Sequence, residues 1–359
     1  MQAFHCPTCR RLVFFHNFGC LSCGAGLGYD PVTRSIVAFA GGAAEPWRSC
    51  GNRVVADCNW LVAASDPNDL CRSCRLTAVR PNDAEAEHLA AFADAESAKR
   101  QVLDQLAGLG LPIGASGGGP PQLRFRLMAS SYERVVTGYE EGTITLDLSE
   151  SNDAHRERVR QQLGELYRTV LGHLRHEIGH FYWWLLIAPS PHLERFRELF
   201  GDERADYQAA LDQHYAQTAD RPIALGAPGP WSDRHISVYA TAHPWEDWAE
   251  TFGQYLLIRD GLETAGAFGL EVGDPSQAAG RRPTPTAADS RTGHRRFRDM
   301  IDRWLGYTFA LNAMARSIGQ GDLYPFVLSE TVVQKLTFVH EIIEGPTSEV
   351  LGPGSARLR

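Results

Sequence analysis

The sequence predicts an α+β protein, a mostly helical domain with a small β-sheet, preceded by a separate cysteine-rich module. Three observations predict it. All eight cysteines lie within the first 74 of 359 residues, and none follows. Most of the remaining chain carries apolar residues three or four apart, the spacing of an amphipathic helix. Two short segments alternate apolar and polar residues, as half-buried strands do.

The elements follow in order. Residues 1–80 are rich in turns and hold too few regularly spaced apolar residues to build a core, so this module needs a metal to fold. Over residues 83–109 Ala and Glu dominate, and Phe92, Val102, Leu103 and Leu106 form the apolar stripe of a helix. The glycines and prolines of residues 108–121 end it in a loop. Residues 123–128 and 142–148 are the two strands. Asn152 and Asp153 open a long helix over residues 154–187, patterned by Val159, Leu163, Leu166, Val170, Leu174, Ile178 and Phe181 and closed by Pro189.

Helices over residues 193–215 and 245–258 come next, separated by a Pro- and Gly-rich loop at 219–230. Residues 274–296 are polar, with Pro283 and Pro285, and predict a surface loop. Helices over 297–318 and 330–343 complete a domain of residues 81–345, and residues 346–359 predict a disordered tail.

Composition narrows the function classes. Apolar content of 43% with 22% charged residues is that of a soluble globular chain. A formal net charge of −8 argues against a nucleic-acid binder that works mainly by charge. The longest apolar run, residues 181–188, falls short of the about 20 residues that cross a bilayer. The opening Met1-Gln2-Ala3-Phe4-His5-Cys6 has neither the basic start nor the apolar stretch of a signal peptide, which predicts a cytoplasmic protein. Thiols there stay reduced, so metal ligation is favoured over disulfides.

The cysteines divide into two fours. Cys6, Cys9, Cys20 and Cys23 form two Cys-x2-Cys knuckles with ten residues between them, a zinc-ribbon spacing. Cys50, Cys58, Cys71 and Cys74 form a looser group with one such knuckle. Thiolates also hold iron–sulfur clusters, but the ribbon spacing favours zinc. Four thiolates leave no open position, so both sites are read as structural, folding a module that can meet a protein partner.

The stretch His176-Glu177-Ile178-Gly179-His180 carries different chemistry. Residues four apart on a helix lie one above the other, so both imidazoles can meet one zinc. Glu177 is offset by one position and serves as general base rather than ligand. A third protein ligand is needed. No third His follows at close range, since Pro189 and Pro191 intervene before His192. Glu246 and Glu250, four apart on a later helix, offer one ligand and one residue to orient a ligand histidine. Their neighbours Asp247, His243 and His235 read as solvated or cleft-wall residues. The strand at 142–148 is expected to receive an extended substrate by edge pairing.

Tyr239, Glu246 seven residues on, Ala249-Glu250 and Phe252 resemble the lethal-factor-type peptidases of the gluzincins. That resemblance implies a zincin-like fold, with Glu246 as the zinc ligand, Glu250 orienting a ligand histidine and Tyr239 donating to the oxyanion. Nearly the whole chain is similar to bacterial zinc-binding metallopeptidases with an N-terminal zinc ribbon. The matching stretches are Cys6-Pro7-Thr8-Cys9, Cys58-Asn59-Trp60, Leu109-Gly110-Leu111-Pro112, the HExxH stretch and residues 244–252. The expectation is a peptidase with one catalytic and two structural zincs, acting on a peptide or protein. The rival expectation is a zinc-ribbon binding protein whose second site is vestigial or hydrolyses another bond.

Overall fold

The computed structural model describes residues 2–39, 46–82, 84–113, 122–131, 135–152, 169–219, 229–273 and 293–345. These fall into two compact units, one holding the described residues up to Pro191 and the other those from His192 onward. Most of the expected loop at 108–121, the first part of the 154–187 helix, most of the 219–230 and 274–296 loops and the tail lie outside the described residues.

The first unit opens with three antiparallel ladders: β1 (Phe4–His5) with β2 (Leu12–Val13), β3 (Leu27–Asp30) with β4 (Ser35–Ala38), and β5 (Trp47–Ser49) with β6 (Leu61–Ala63). An aromatic cluster stands in for a larger core, with Tyr29 4.6 Å from Phe15 and 5.5 Å from Trp60 between ring centroids. Asp30 shapes the β3–β4 turn by accepting from Val32 N and Thr33 Oγ1 at 2.9 and 2.6 Å.

β7 (Thr77–Val79) joins a four-stranded sheet in the order β7-β8-β10-β9, with β8 at Arg124–Met128, β9 at Gly138–Glu140 and β10 at Thr143–Asp147. β8 runs parallel to both β7 and β10, which aligns the buried pairs Phe125 with Ile144 and Leu127 with Leu146. The β9–β10 hairpin closes through Glu141 and Gly142, both at positive φ (44° and 85°), the geometry that matches strand twist in a two-residue turn.

β10 is therefore flanked on both sides, by β8 and by β9. This corrects the expectation that residues 142–148 form an edge strand; among the described residues the outer strands of this sheet are β7 and β9. The sequence hides β9 because Gly138-Tyr139-Glu140 is too short to show an alternation.

α1 (Ala86–Gly108) buries Phe92, Val102, Leu103 and Leu106. α2 (Val170–Tyr182) starts under Thr169, whose Oγ1 accepts from Gly172 N at 2.9 Å. Arg175 on α2 donates to Gln105 on α1 at 3.2 Å, and Tyr182 Oη donates to the Pro112 carbonyl at 3.0 Å. Beyond Tyr182 the chain runs through one π-helical turn, Trp183–Ile187.

The second unit is helical: α3 (Leu193–Phe200), α4 (Tyr207–Ala219), α5 (Pro244–Ala267), α6 (Gly293–Ser317) and α7 (Glu330–Glu344). The single helix expected over 193–215 is two. Gly201 adopts φ 109°, Arg197 reaches forward to Glu203 at 2.6 Å, and Asp206 caps α4 by accepting from Ala209 N at 3.0 Å. Trp248 centres the core, within about 6 Å of the rings of Phe196, Phe200, Phe252 and Phe338. Among the described residues, no helix is long and apolar enough to cross a membrane.

Candidate metal centres

The eight cysteines are free thiols gathered in the two expected fours, with the four Sγ atoms of each group within 4.8 Å of one another. In the first group Cys6 and Cys23 stand 3.7 Å apart and Cys9 and Cys20 3.5 Å. In the second, Cys58 is 3.6 Å from Cys71 and 3.7 Å from Cys74. Sulfurs about 2.3 Å from a zinc form a tetrahedron with edges of about 3.8 Å, so both sets fit that ion. A disulfide would bring sulfurs to about 2.05 Å. His5 and His16 belong to neither group.

Backbone N–H groups aimed at sulfur favour the thiolate a metal requires. The Cys9 N–H pulls the Cys6 thiol down to about 6. Cys50 Sγ accepts from Cys71 N at 3.3 Å. Around the second group α1 supplies fully buried charge: Glu96 approaches Cys74 Sγ at 3.8 Å, Lys99 pairs with Glu96 at 2.6 Å, and Arg100 donates to the Ala56 and Asp57 carbonyls at 3.1 and 2.9 Å. These polar positions interrupt an otherwise apolar helix face, and nothing in the sequence says what they meet.

On α2, His176 and His180 are one turn apart, with ring centroids 5.1 Å apart and planes at 79°. His176 and Glu177 are buried, and His180 is half-buried. Tyr139 of the edge strand β9 stacks on His180 at 6.2 Å and 21°. His173 lies one turn before Glu177, with Nε2 3.6 Å from Glu177 Oε1. Its Nδ1 faces Glu150 Oε1 at 3.7 Å, from the 3-10 turn Leu148–Ser151. Sequence reasoning missed Tyr139, His173 and Glu150. The only available signal was that His173 is four residues from Glu177.

In the second unit, Glu246 sits in the first turn of α5, where an acidic residue suits the helix dipole. Pro244 occupies an N-terminal position that needs no N–H, and His243 Nδ1 caps the helix by accepting from Trp245 N at 3.2 Å. Glu246 is buried, and its Oε1 accepts from Tyr207 Oη at 2.5 Å. Glu250 is one turn further on and half-buried. Tyr239 stands in the 3-10 turn Tyr239–Thr241, edge-on to His214 at 5.7 Å.

Asp247 and His243 correct the sequence reading. Asp247 is not solvated: it is 1% exposed and bonded to Lys335 Nζ on α7 at 2.5 Å, with His235 3.7 Å away. Burial pushes its carboxyl up to about 7 against the pull of Lys335. His243 is a buried helix cap rather than a cleft-wall or surface histidine.

A family model described as "Putative zinc-binding metallo-peptidase" matches residues 88–342, and one described as "zinc-ribbon domain" matches residues 3–85. Uncharacterised proteins of Mycobacterium bovis and of two Mycobacterium tuberculosis strains are each 45% identical over 346 residues, covering 96% of this chain and 96% of theirs. No solved structure gives a significant match. The match over residues 88–342 covers most of the chain, which therefore belongs to this zinc-binding metallo-peptidase family and carries a zinc-ribbon domain ahead of the family's own region.

Proposed function

We propose that the protein is a zincin-like zinc peptidase of the gluzincin kind, in which His176, His180 and Glu246 hold the catalytic metal and Glu177 is the general base. The observation that carries this reading is the presentation of two imidazoles one turn apart on α2 with a buried carboxylate at Glu177. Glu246 is the third ligand in this reading, a buried carboxylate in the first turn of α5. Two imidazoles and one carboxylate are a donor set typical of catalytic zinc, which keeps a fourth position open. A zinc held there supplies a Lewis acid and lowers the pKa of water to about 7.

The chain's own groups do the rest. Glu177 takes the proton of the attacking water and hands it to the leaving amine. Tyr239 donates its hydroxyl to the oxygen on which charge develops. Glu250, one turn from Glu246, orients a ligand imidazole. The strand β9, outermost in the sheet among the described residues and stacked through Tyr139 on His180, aligns an extended peptide through main-chain hydrogen bonds. The two cysteine sites are structural. The ribbon exposes Phe14 and Leu21 and is the part through which a protein partner or substrate is met. The reading places the enzyme in the cytoplasm.

Glu177→Gln tests it. Cleavage of a broad peptide library should fall by about 10²-fold or more, with zinc content unchanged. Wild-type protein that holds zinc in the His site and cleaves no peptide would assign the site to another bond.

A further inference from the structure

A general base acts only if one carboxylate oxygen faces the proton it takes, so something must hold the other. Glu177 lies one turn after His173 on α2, with Oε1 3.6 Å from His173 Nε2. The opposite ring nitrogen, Nδ1, faces Glu150 Oε1 at 3.7 Å. The Glu150, His173 and Glu177 side chains are only 8%, 20% and 6% exposed, so little solvent competes for them. His173 Nδ1 is buried with no hydrogen bond at these distances. With an N–H on each ring nitrogen, a shift of a few tenths of an ångström would turn both contacts into hydrogen bonds, and catalytic hydrogen bonds commonly tighten when substrate binds.

The far end of this chain is well anchored. Glu150 belongs to the turn Leu148–Ser151 that follows β10, and Asp147 caps that turn by accepting from Ser149 N at 3.0 Å. Ser151 Oγ donates to the Ala91 carbonyl of α1 at 3.0 Å. The turn thus fixes Glu150 against both sheet and helix.

We infer that His173 is a positioning residue for the base: Glu150 holds its imidazole, and the imidazole orients the Glu177 carboxylate. The inference rests on the peptidase reading for its catalytic meaning, but the Glu150–His173–Glu177 chain itself does not depend on that reading.

Two measurements test it. In protein labelled with ¹⁵N-histidine, the His173 imidazole should give an N–H resonance protected from exchange, assigned by its loss in His173→Phe. That resonance should shift in both Glu150→Gln and Glu177→Gln. No protected resonance, or one indifferent to both substitutions, would overturn the inference whether or not the protein cleaves peptides.

For cleavage of a fluorogenic peptide library, His173→Phe should lower kcat by about 10- to 100-fold with KM and zinc content unchanged. His173→Gln, whose side-chain amide can still donate, should recover most of the loss. Wild-type kcat in His173→Phe would overturn the inference. Failure of the wild type to cleave, with the resonance behaving as expected, would count against the peptidase reading alone.

Discussion

His16 shows how burial sets charge in this protein. Its Nδ1 lies 3.2 Å from Ser97 Oγ, and burial, with Arg100 adding, lowers its imidazole from 6.5 to about 4. The unfolded chain takes up this proton first, so the contribution to stability is whole above pH 6.5 and is lost as pH falls toward 4. At about 1.4 kcal/mol per pH unit that is at most about 3 kcal/mol, reduced by the ring's partial exposure. His16→Gln should flatten the dependence of unfolding free energy on pH between 6.5 and 4, as read by urea melts; parallel curves for variant and wild type would contradict the assignment. Residues whose partners lie near in sequence were legible from spacing: the Cys-x2-Cys knuckles, and His176 with His180. Glu150 and Asp247 were not, because what faces them, His173 and Lys335, comes from other elements 23 and 88 positions away.

At the scale of elements, helices with a clear apolar period were readable, and short strands and breaks were not. The break after α3 turns on a single Gly201 at positive φ, and β9 has only three residues. α1 was legible as a helix from its apolar stripe, yet its buried polar side reports a job that periodicity cannot show. Glu96, Lys99 and Arg100 sit with essentially no exposure beside the second cysteine group. Lys99→Met leaves the Glu96 carboxylate buried without its nearest cation, at a cost of about 3–5 kcal/mol. Chemical denaturation should show that loss, and a change near zero would contradict it. In the second unit α5 meets α6 through Gly261, where an added Cβ would lie 2.5 Å from the Trp304 ring. Gly261→Ala should lower stability by about 1–3 kcal/mol through overpacking, and a neutral or stabilising result would show that Trp304 gives way freely.

At the scale of the whole molecule, two kinds of metal-donor chemistry stand in one chain. Each group of four thiols near the N-terminus would leave a bound ion no open position, whereas the two imidazoles and one carboxylate proposed as the catalytic ligands would leave one. Where the cysteines stop is visible in the sequence. What was not visible is that β7, directly after Cys74, enters the same sheet as β8, β9 and β10, because strand pairing is settled by contacts distant in sequence. The most direct measurement is zinc per chain by mass spectrometry, on wild type, His176→Ala and Cys6→Ser, purified without chelators and supplied with zinc. About three zincs are expected in the wild type and about two in His176→Ala, the cysteine sites being untouched. Two zincs in both wild type and His176→Ala would contradict it, because α2 would then hold no metal.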